Sequence, residues 1–213
     1  MLRGLHHITA FAGDPRRNLD FYTRFLGLTL VKRTVNFDDP ATYHFYFGDA
    51  TGTPGTLLTF FSWPAAPAGR KGSGQAAGVS FSIPKNALEY WQDRARQAAV
   101  AQRELRSRFD QTFLTIIDPD GLEVELSATA PPGKDPSIVS LNSATIVESD
   151  PERTEKFLAG VLGCALAAKQ EGRSRFMLMD PSNTGIDIIA APGTERAKLS
   201  RGMVHHIAFR VAD

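Results

Sequence analysis

Alternating apolar and polar residues mark short β-strands along this chain, and apolar residues spaced three and four apart mark helices between them. In the first 65 residues, the alternation predicts strands near 4–11, 28–37, 42–48 and 56–61. A helix is predicted between the first two strands. The first part of the chain therefore has the order strand, helix and three strands.

The same order returns further along the chain. A second unit has a strand at 78–83, a helix through Leu88 and Ala95, and strands near 102–109, 112–117 and 122–127. A third unit covers 139–191, and a fourth begins at Gly202 and contributes one strand. The pattern predicts an α+β fold of repeated βαβββ modules, with three complete modules and the first strand of a fourth.

Two of the predicted helices also repeat in sequence at a constant offset. Asp14-Pro15 begins one helical segment and Asp150-Pro151 begins the other, and each segment ends at a glycine, Gly27 or Gly163. Aspartate before proline is typical of a helix N-cap, and glycine is typical of the residue after a helix. A repeat at fixed offset indicates duplicated structural units.

A Pro- and Gly-rich stretch divides the chain after the second module. Residues 131–138 are predicted to be a linker between an N-terminal pair of modules, 1–130, and a C-terminal domain, 139–213. Within the N-terminal pair, the modules are expected at about 1–65 and 75–130.

Composition excludes several functional classes. The formal net charge of +1 lacks the positive excess of a nucleic-acid-binding protein, and no apolar run is long enough to cross a bilayer. The single cysteine, Cys164, cannot form an internal disulfide and suits a reducing compartment. We therefore expect a cytoplasmic protein with no nucleic-acid or membrane partner.

Histidine is the most informative residue type in the sequence. Four of the five histidines form two dyads, His6-His7 and His205-His206, in similar strands at opposite ends of the chain; the fifth is His44. Histidine is a common metal ligand, and its placement twice in one local context indicates a single site built from two related segments.

Strand alternation suggests which histidine of each dyad faces the site. His6 shares its face with Ile8, and His205 shares its face with Ile207, so the first histidines are expected toward the core. His7 and His206 then lie on the more polar face and are the candidate metal ligands. Tyr/Phe-rich surroundings make His44 more typical of a structural residue.

Together, these features resemble the vicinal oxygen chelate superfamily, which contains glyoxalases, bleomycin-resistance proteins and extradiol dioxygenases. The resemblance rests on the βαβββ order, the two His-His-Ile motifs and the Asp118-Pro119-Asp120-Gly121 turn followed by Glu125-Leu126. Segments 31–40, 43–49, 52–61 and 69–75 resemble the ring-cleaving branch, which includes hydroquinone dioxygenases. The likeness covers the whole chain.

The resemblance implies that two modules pair into a cupped sheet, with ligands from the first and last strand of each. Alignment of the modules puts seven residues at ligand positions: His7, Gly78, Ser143 and His206 on first strands, and Thr59, Glu125 and Ile189 on last strands. Pairing modules one and two would give a cup with one histidine and one carboxylate. Pairing modules one and four would put both histidines in one cup, and this arrangement is favoured.

Family members carry a metal-binding glutamate at the end of the fourth module, which the repeat spacing places roughly 40 residues beyond Asp213. Two histidines and one carboxylate form the facial triad of non-haem Fe(II) oxygenases. The implied cofactor is Fe(II), with Mn(II) and Zn(II) as alternatives, and Thr59 leaves positions open for a small aromatic substrate and O2. The resemblance assigns catalytic roles to His6, Thr9 and His205.

Two other functions stay open from the sequence. The fold also supports a glyoxalase-type metal-dependent lyase or isomerase, and it supports a non-catalytic binding protein of the bleomycin-resistance type. Without the glutamate, this 213-residue form is expected to bind iron weakly and to lack activity. A fourth module reduced to one strand leaves a sheet edge unpaired, so the chain is also expected to form homo-oligomers.

Overall fold

The computed structural model describes residues 2–179 and 183–211. Within them, thirteen strands and three α-helices follow the predicted module order. The strands are β1 (Leu2–Ala12), β2 (Thr29–Val35), β3 (Tyr43–Gly48), β4 (Leu57–Ser62), β5 (Gln75–Pro84), β6 (Arg106–Arg108), β7 (Gln111–Ile117), β8 (Glu123–Ala130), β9 (Ser140–Glu148), β10 (Ala165–Gln170), β11 (Arg173–Met177), β12 (Gly185–Ala190) and β13 (Val204–Val211). The helices are α1 (Pro15–Asp20), α2 (Leu88–Gln97) and α3 (Glu152–Gly160). The α+β class and the repeated modules are confirmed.

The strands form two sheets that combine modules distant in sequence. One sheet has the order β13-β1-β4-β3-β2, so module one pairs with the start of module four. The other has the order β10-β11-β12-β9-β5-β8-β7-β6, so modules two and three pair through β5 and β9. The favoured pairing is therefore the one that the structure adopts. Both sheets contain strands from each side of the predicted linker, and the division into 1–130 and 139–213 domains stays a prediction.

Apolar side chains from both sheets pack into one continuous core with the helices. Tyr22, Phe47, Phe60 and Phe81 are among the largest fully buried side chains. Burial of each large apolar side chain stabilises the fold by about 1.5–3 kcal/mol relative to exposure. The core therefore determines which face of each strand is buried and which face is left for a functional site.

The helices differ from the sequence prediction at their ends. The first predicted helix is α1 followed by a π-helical turn, Phe21–Phe25, and Gly27 follows with a positive φ of 74°. Asp14 caps α1 as predicted, since its side chain accepts from the backbone N–H groups of Arg16 and Arg17. Asp150 was wrongly expected to cap the third-module helix in the same way: α3 begins one residue later than predicted, after Pro151 at its N-cap.

Strand β6 is also shorter than predicted. The sequence pattern gave a strand over 102–109, whereas the ladder with β7 covers only Arg106–Arg108, and Gln102 forms an isolated bridge with Ile116. The described residues contain no helix that is both long enough and apolar enough to span a membrane.

Candidate metal centre

The two histidine dyads meet because β13 pairs with β1. The antiparallel register puts Thr9 opposite His206 and His7 opposite Ala208. On the other side of β1, the parallel register puts Thr9 beside Thr59 of β4. Three neighbouring strands thus direct His7, His206, Thr9 and Thr59 to one place, which we call the first cup.

The ring nitrogens of His7 and His206 lie close enough to share one ion. Their Nε2 atoms are 3.1 Å apart. Two nitrogens that each lie about 2.1 Å from one ion, at right angles, are separated by about 3.0 Å. The two candidate ligands therefore fit adjacent coordination positions of a single transition metal.

Both histidines favour the neutral form that a metal requires. Burial, followed by the charges of His206 and His6, lowers the pKa of His7 to about 4. Burial, followed by the charge of His205, also lowers the pKa of His206. At neutral pH each imidazole consequently has a lone pair available for coordination.

The hydroxyl groups of Thr9 and Thr59 extend a hydrogen-bond network from His206 to strand β3. Thr9 Oγ1 lies 2.9 Å from His206 Nε2 and 2.7 Å from Thr59 Oγ1, and both threonines are fully buried. His44 Nε2 lies 2.9 Å from Thr59 Oγ1, and the Tyr46 hydroxyl lies 3.1 Å from His44 Nδ1. A continuous chain of hydrogen-bonding groups thus runs from Tyr46 to His206.

These contacts connect His44 to the first cup, whereas the sequence favoured a structural role for it and left open that its strand face borders a substrate. Burial lowers its pKa to about 4, and the charges of His7 and His206 act in the same direction. The alternation of β3, which places His44 and Tyr46 on the face opposite Phe45 and Phe47, was the signal available in the sequence.

The first histidines of the dyads do not point into the core, so that expectation was wrong. Register shifts interrupt the β1–β13 ladder between Leu5 and His7 and between Thr9 and Ala10. At these shifts, His6 and His205 have no partner in the β1–β13 ladder, as in a β-bulge. A β-bulge changes the direction of a side chain that strict alternation would place on the opposite face of the sheet. His6 Nδ1 lies 2.9 Å from His7 Nδ1, and His205 Nδ1 lies 2.7 Å from His206 Nδ1.

Aromatic rings form one wall of the first cup. Phe11 packs against Trp63 with stacked rings 4.4 Å apart, and the exposed His205 ring meets the edges of Phe11 and Phe61 at 5.0 and 5.5 Å. Phe61 also lies 4.3 Å from His44, centroid to centroid. These rings give the first cup an aromatic border beside its histidines.

The donor set is incomplete among the described residues. Within 2–179 and 183–211, no group of three His, Cys, Asp or Glu side chains is placed to hold a metal. Two neutral imidazoles with adjacent threonine hydroxyls suit a first-row transition metal, and they require at least one further ligand for tight binding. The residues present fit part of a facial metal site.

Comparison with known proteins agrees with this architecture. A family profile described as the Glyoxalase/Bleomycin resistance protein/Dioxygenase superfamily matches residues 4–126. MhqO of Bacillus subtilis (strain 168), provisionally named a ring-cleaving dioxygenase, is 37% identical over 99% of this chain and 70% of its own length. The chlorohydroquinone/hydroquinone 1,2-dioxygenase of Sphingobium indicum is 31% identical over 100% of this chain and 71% of its own length.

Solved structures give the same result. A crystal structure from Bacillus subtilis, provisionally titled a dioxygenase, superposes with a TM-score of 0.91 at 37% identity, over 100% of this chain and 71% of that one. Glyoxalase I from Zea mays superposes with a TM-score of 0.72 at 17% identity, over 94% of this chain and 72% of that one, which shows a shared fold.

Proposed function

This chain belongs to the Glyoxalase/Bleomycin resistance protein/Dioxygenase superfamily, and we propose that it is a ring-cleaving, extradiol-type dioxygenase that uses Fe(II) to open a hydroquinone- or catechol-like phenol. The observation that carries the proposal is the 3.1 Å approach of His7 Nε2 and His206 Nε2 beneath an aromatic wall. Mn(II) and Zn(II) are alternative ions for the same nitrogens.

In this proposal His7 and His206 hold the metal, and a carboxylate outside the described residues completes the site. The bound metal would lower the pKa of a substrate hydroxyl and allow electrons to pass between the phenol and O2. Thr59, at the fourth ligand position, is a poor metal ligand and keeps room for both reactants. This feature favours an oxygenase over a glyoxalase-type lyase, which fills that position with a protein ligand.

In this proposal, His6 and His205 would each accept a hydrogen bond from the metal ligand that follows them in the sequence. A histidine that coordinates through Nε2 carries its proton on Nδ1. His7 Nδ1–H would donate to His6 Nδ1, and His206 Nδ1–H would donate to His205 Nδ1, across the 2.9 and 2.7 Å contacts. His6 and His205 would thereby fix the tautomer and orientation of each ligand and could receive a proton during turnover.

Thr9 would act from the floor of the first cup. Its hydroxyl lies beside the ligating nitrogen of His206 and is fixed by Thr59, so it can hydrogen-bond to an oxygen atom of the bound substrate. The aromatic wall would orient the ring and exclude water from the reacting atoms.

Metal content and oxygen uptake test the proposal. The natural full-length protein would be loaded anaerobically with Fe(II) and assayed for O2 consumption with hydroquinone, chlorohydroquinone and catechol. We expect stoichiometric uptake of O2 with at least one phenol. His7→Gln and His206→Gln should each lose most of the bound metal and lower kcat/KM at least about a hundredfold. Arg153→Gln, at an exposed residue of α3 outside the first cup, serves as a control for metal content and should retain the ion.

Two results would contradict the proposal. One is the absence of O2 uptake with every phenol despite confirmed bound iron. The other is turnover of a substrate under anaerobic conditions with Zn(II), which would indicate a lyase or isomerase.

A further inference from the structure

A single row of paired residues crosses all five strands of the sheet that forms the first cup. Lys32 on β2 pairs with Tyr46 on β3, and Tyr46 pairs with Thr59 on β4. Thr59 lies beside Thr9 on β1, and Thr9 lies opposite His206 on β13. Residues that are directly paired in a ladder point to the same face of a sheet. Lys32 therefore lies on the same face as His206, at the opposite end of the row.

Side-chain contacts agree with this placement of Lys32. Its Nζ atom lies 5.2 Å from the centroid of the Tyr46 ring, and the Tyr46 hydroxyl lies 3.1 Å from His44 Nδ1. Burial is the main cause that lowers the pKa of His44 to about 4, and the charge of Lys32 acts in the same direction. The ammonium group thus lies over the face of the sheet that carries the hydrogen-bond network of the first cup.

No carboxylate neutralises Lys32 in the part of the chain that the structure describes. Its side chain is exposed, and within residues 2–179 and 183–211 it forms no ion pair. The five strands of this sheet contain no aspartate or glutamate, whereas they contain Lys32, arginines and every histidine of the chain. Asp38 follows β2, and its charge opposes the lowering of the His205 pKa by burial, but it forms no ion pair with Lys32.

The charge of Lys32 makes the first cup favourable for anions. A cleft lined by one sign of charge raises the local concentration of ligands of the opposite sign. An ammonium group also forms charge-assisted hydrogen bonds with a carboxylate, and these are stronger than hydrogen bonds between neutral groups. A ligand with a carboxylate would gain from Lys32 in both ways, whereas a neutral phenol would not.

We propose that the substrate of the first cup carries a carboxylate group and that Lys32 binds it. This inference rests on the function proposed above, and it narrows the substrate to a hydroquinone or catechol with a short acidic side chain. The reacting hydroxyl lies toward His206, the carboxylate lies toward Lys32, and the ring lies between them. Adjacent strands are about 4.8 Å apart, and the side chains of Lys32 and His206 extend over the row from both ends and shorten the distance that the substrate spans.

A carboxylate and its neutral amide test this inference through a single change of charge. The natural full-length protein, loaded with Fe(II) under anaerobic conditions, would be titrated with 2,5-dihydroxyphenylacetate and with 2,5-dihydroxyphenylacetamide by isothermal titration calorimetry. Without O2 no ring opens, so the dissociation constants are measured independently of turnover. We expect the carboxylate to bind about tenfold more tightly than the amide, because hydrogen bonds to charged groups contribute more than neutral ones.

Three variants identify the charge that recognises the carboxylate. Lys32→Gln should bind both ligands with affinities equal within about twofold, whereas Lys32→Arg keeps the charge and should keep most of the preference. Arg33→Gln is the matched control and should leave the preference unchanged. Arg33 is the next residue on β2 and is also exposed, and it pairs with Phe45 of the core, so its side chain lies on the other face of the sheet. The fold should tolerate each substitution, because both positions are exposed.

Three results would overturn the inference. They are equal binding of the two ligands by the unaltered protein, a preference that Lys32→Gln leaves intact, and an equal loss of preference in Arg33→Gln. The second result would mean that the metal, and not Lys32, holds the carboxylate.

The outcomes are separate from those of the proposed function. O2 uptake with unsubstituted hydroquinone, together with equal binding of the carboxylate and the amide, would refute the role of Lys32 alone. A preference that depends on Lys32, without O2 uptake by any phenol, would support carboxylate recognition and refute the dioxygenase proposal alone.

Discussion

His44 is connected to His206, one of the two proposed metal ligands of the first cup, through the hydroxyl groups of Thr59 and Thr9. The contacts run from His44 Nε2 to Thr59 Oγ1 at 2.9 Å, then to Thr9 Oγ1 at 2.7 Å, then to His206 Nε2 at 2.9 Å. Each hydroxyl can donate one hydrogen bond and accept others, so a change in the protonation of His44 alters the direction of the whole chain.

A histidine with a depressed pKa gives a pH dependence of defined sign. His44 titrates at about 4 in the folded chain and near 6.5 when unfolded, so the unfolded chain holds more protons between these values. This contribution to stability is complete above pH 6.5 and is lost as the pH falls toward 4. His7 acts in the same direction. Asp118, whose pKa burial raises to about 6, acts in the opposite direction.

We therefore predict that His44→Gln flattens the acid limb of the stability curve. The slope of the unfolding free energy against pH, between pH 6.5 and 4, should fall by at most about 1.4 kcal/mol per pH unit relative to the unaltered chain. Urea unfolding in EDTA at several pH values measures both slopes, and their difference removes the contributions of His7 and Asp118. Parallel curves would show that His44 does not take up a proton in this range.

At the residue scale, the sequence correctly predicted that His7 and His206, the second histidine of each dyad, face each other. Alternation placed His7 and His206 on one face because the stretch of the ladder that pairs His7–Thr9 with His206–Ala208 contains no register shift. Alternation failed for His6 and His205 because a β-bulge depends on how two strands pair, and the sequence of one strand does not contain that information.

At the element scale, the two Asp-Pro helix starts behave differently although their sequences match. Asp14 Oδ1 accepts from the N–H groups of Arg16 and Arg17 at 2.8 and 2.9 Å. Asp150 Oδ1 accepts from the N–H group of Glu152 at 3.2 Å, and α3 begins only after Pro151. The motif predicted that both helices exist, whereas the position of the first helical turn depends on packing of the following residues.

This difference makes a prediction with a control inside the same chain. Asp14→Ala removes a side chain that satisfies two backbone donors, and Asp150→Ala removes one that satisfies a single donor at a longer distance. The melting temperature should therefore fall more in Asp14→Ala than in Asp150→Ala, as measured by circular dichroism. An equal or larger fall for Asp150→Ala would mean that the N-cap contacts do not control these helix ends.

At the scale of the whole molecule, module pairing decides where the chemistry lies. The repeats predicted the modules, but local patterns allowed module one to pair with either module two or module four. Only the concentration of histidines in β1 and β13 favoured the second arrangement, because contacts between residues about 200 positions apart leave no local signal. The arginine cluster around Glu125 and Asp187 was missed for the same reason: Arg108 lies on β6 in module two, whereas Arg173 and Arg175 lie on β11 in module three.

The pairing also puts β13 at one edge of the five-stranded sheet in the part of the chain that the structure describes. An edge strand presents unpaired backbone groups, and Val211 on β13 is 67% exposed.

We predict that this 213-residue chain self-associates in a concentration-dependent way through β13. Val211→Lys should weaken the association, because a charged edge residue opposes strand addition, and Val161→Lys, at an equally exposed valine after α3, should not. Sedimentation velocity of the unaltered chain and of the two variants measures the degree of association. A monomer at all concentrations, or an equal effect of the two lysine substitutions, would refute association through this edge.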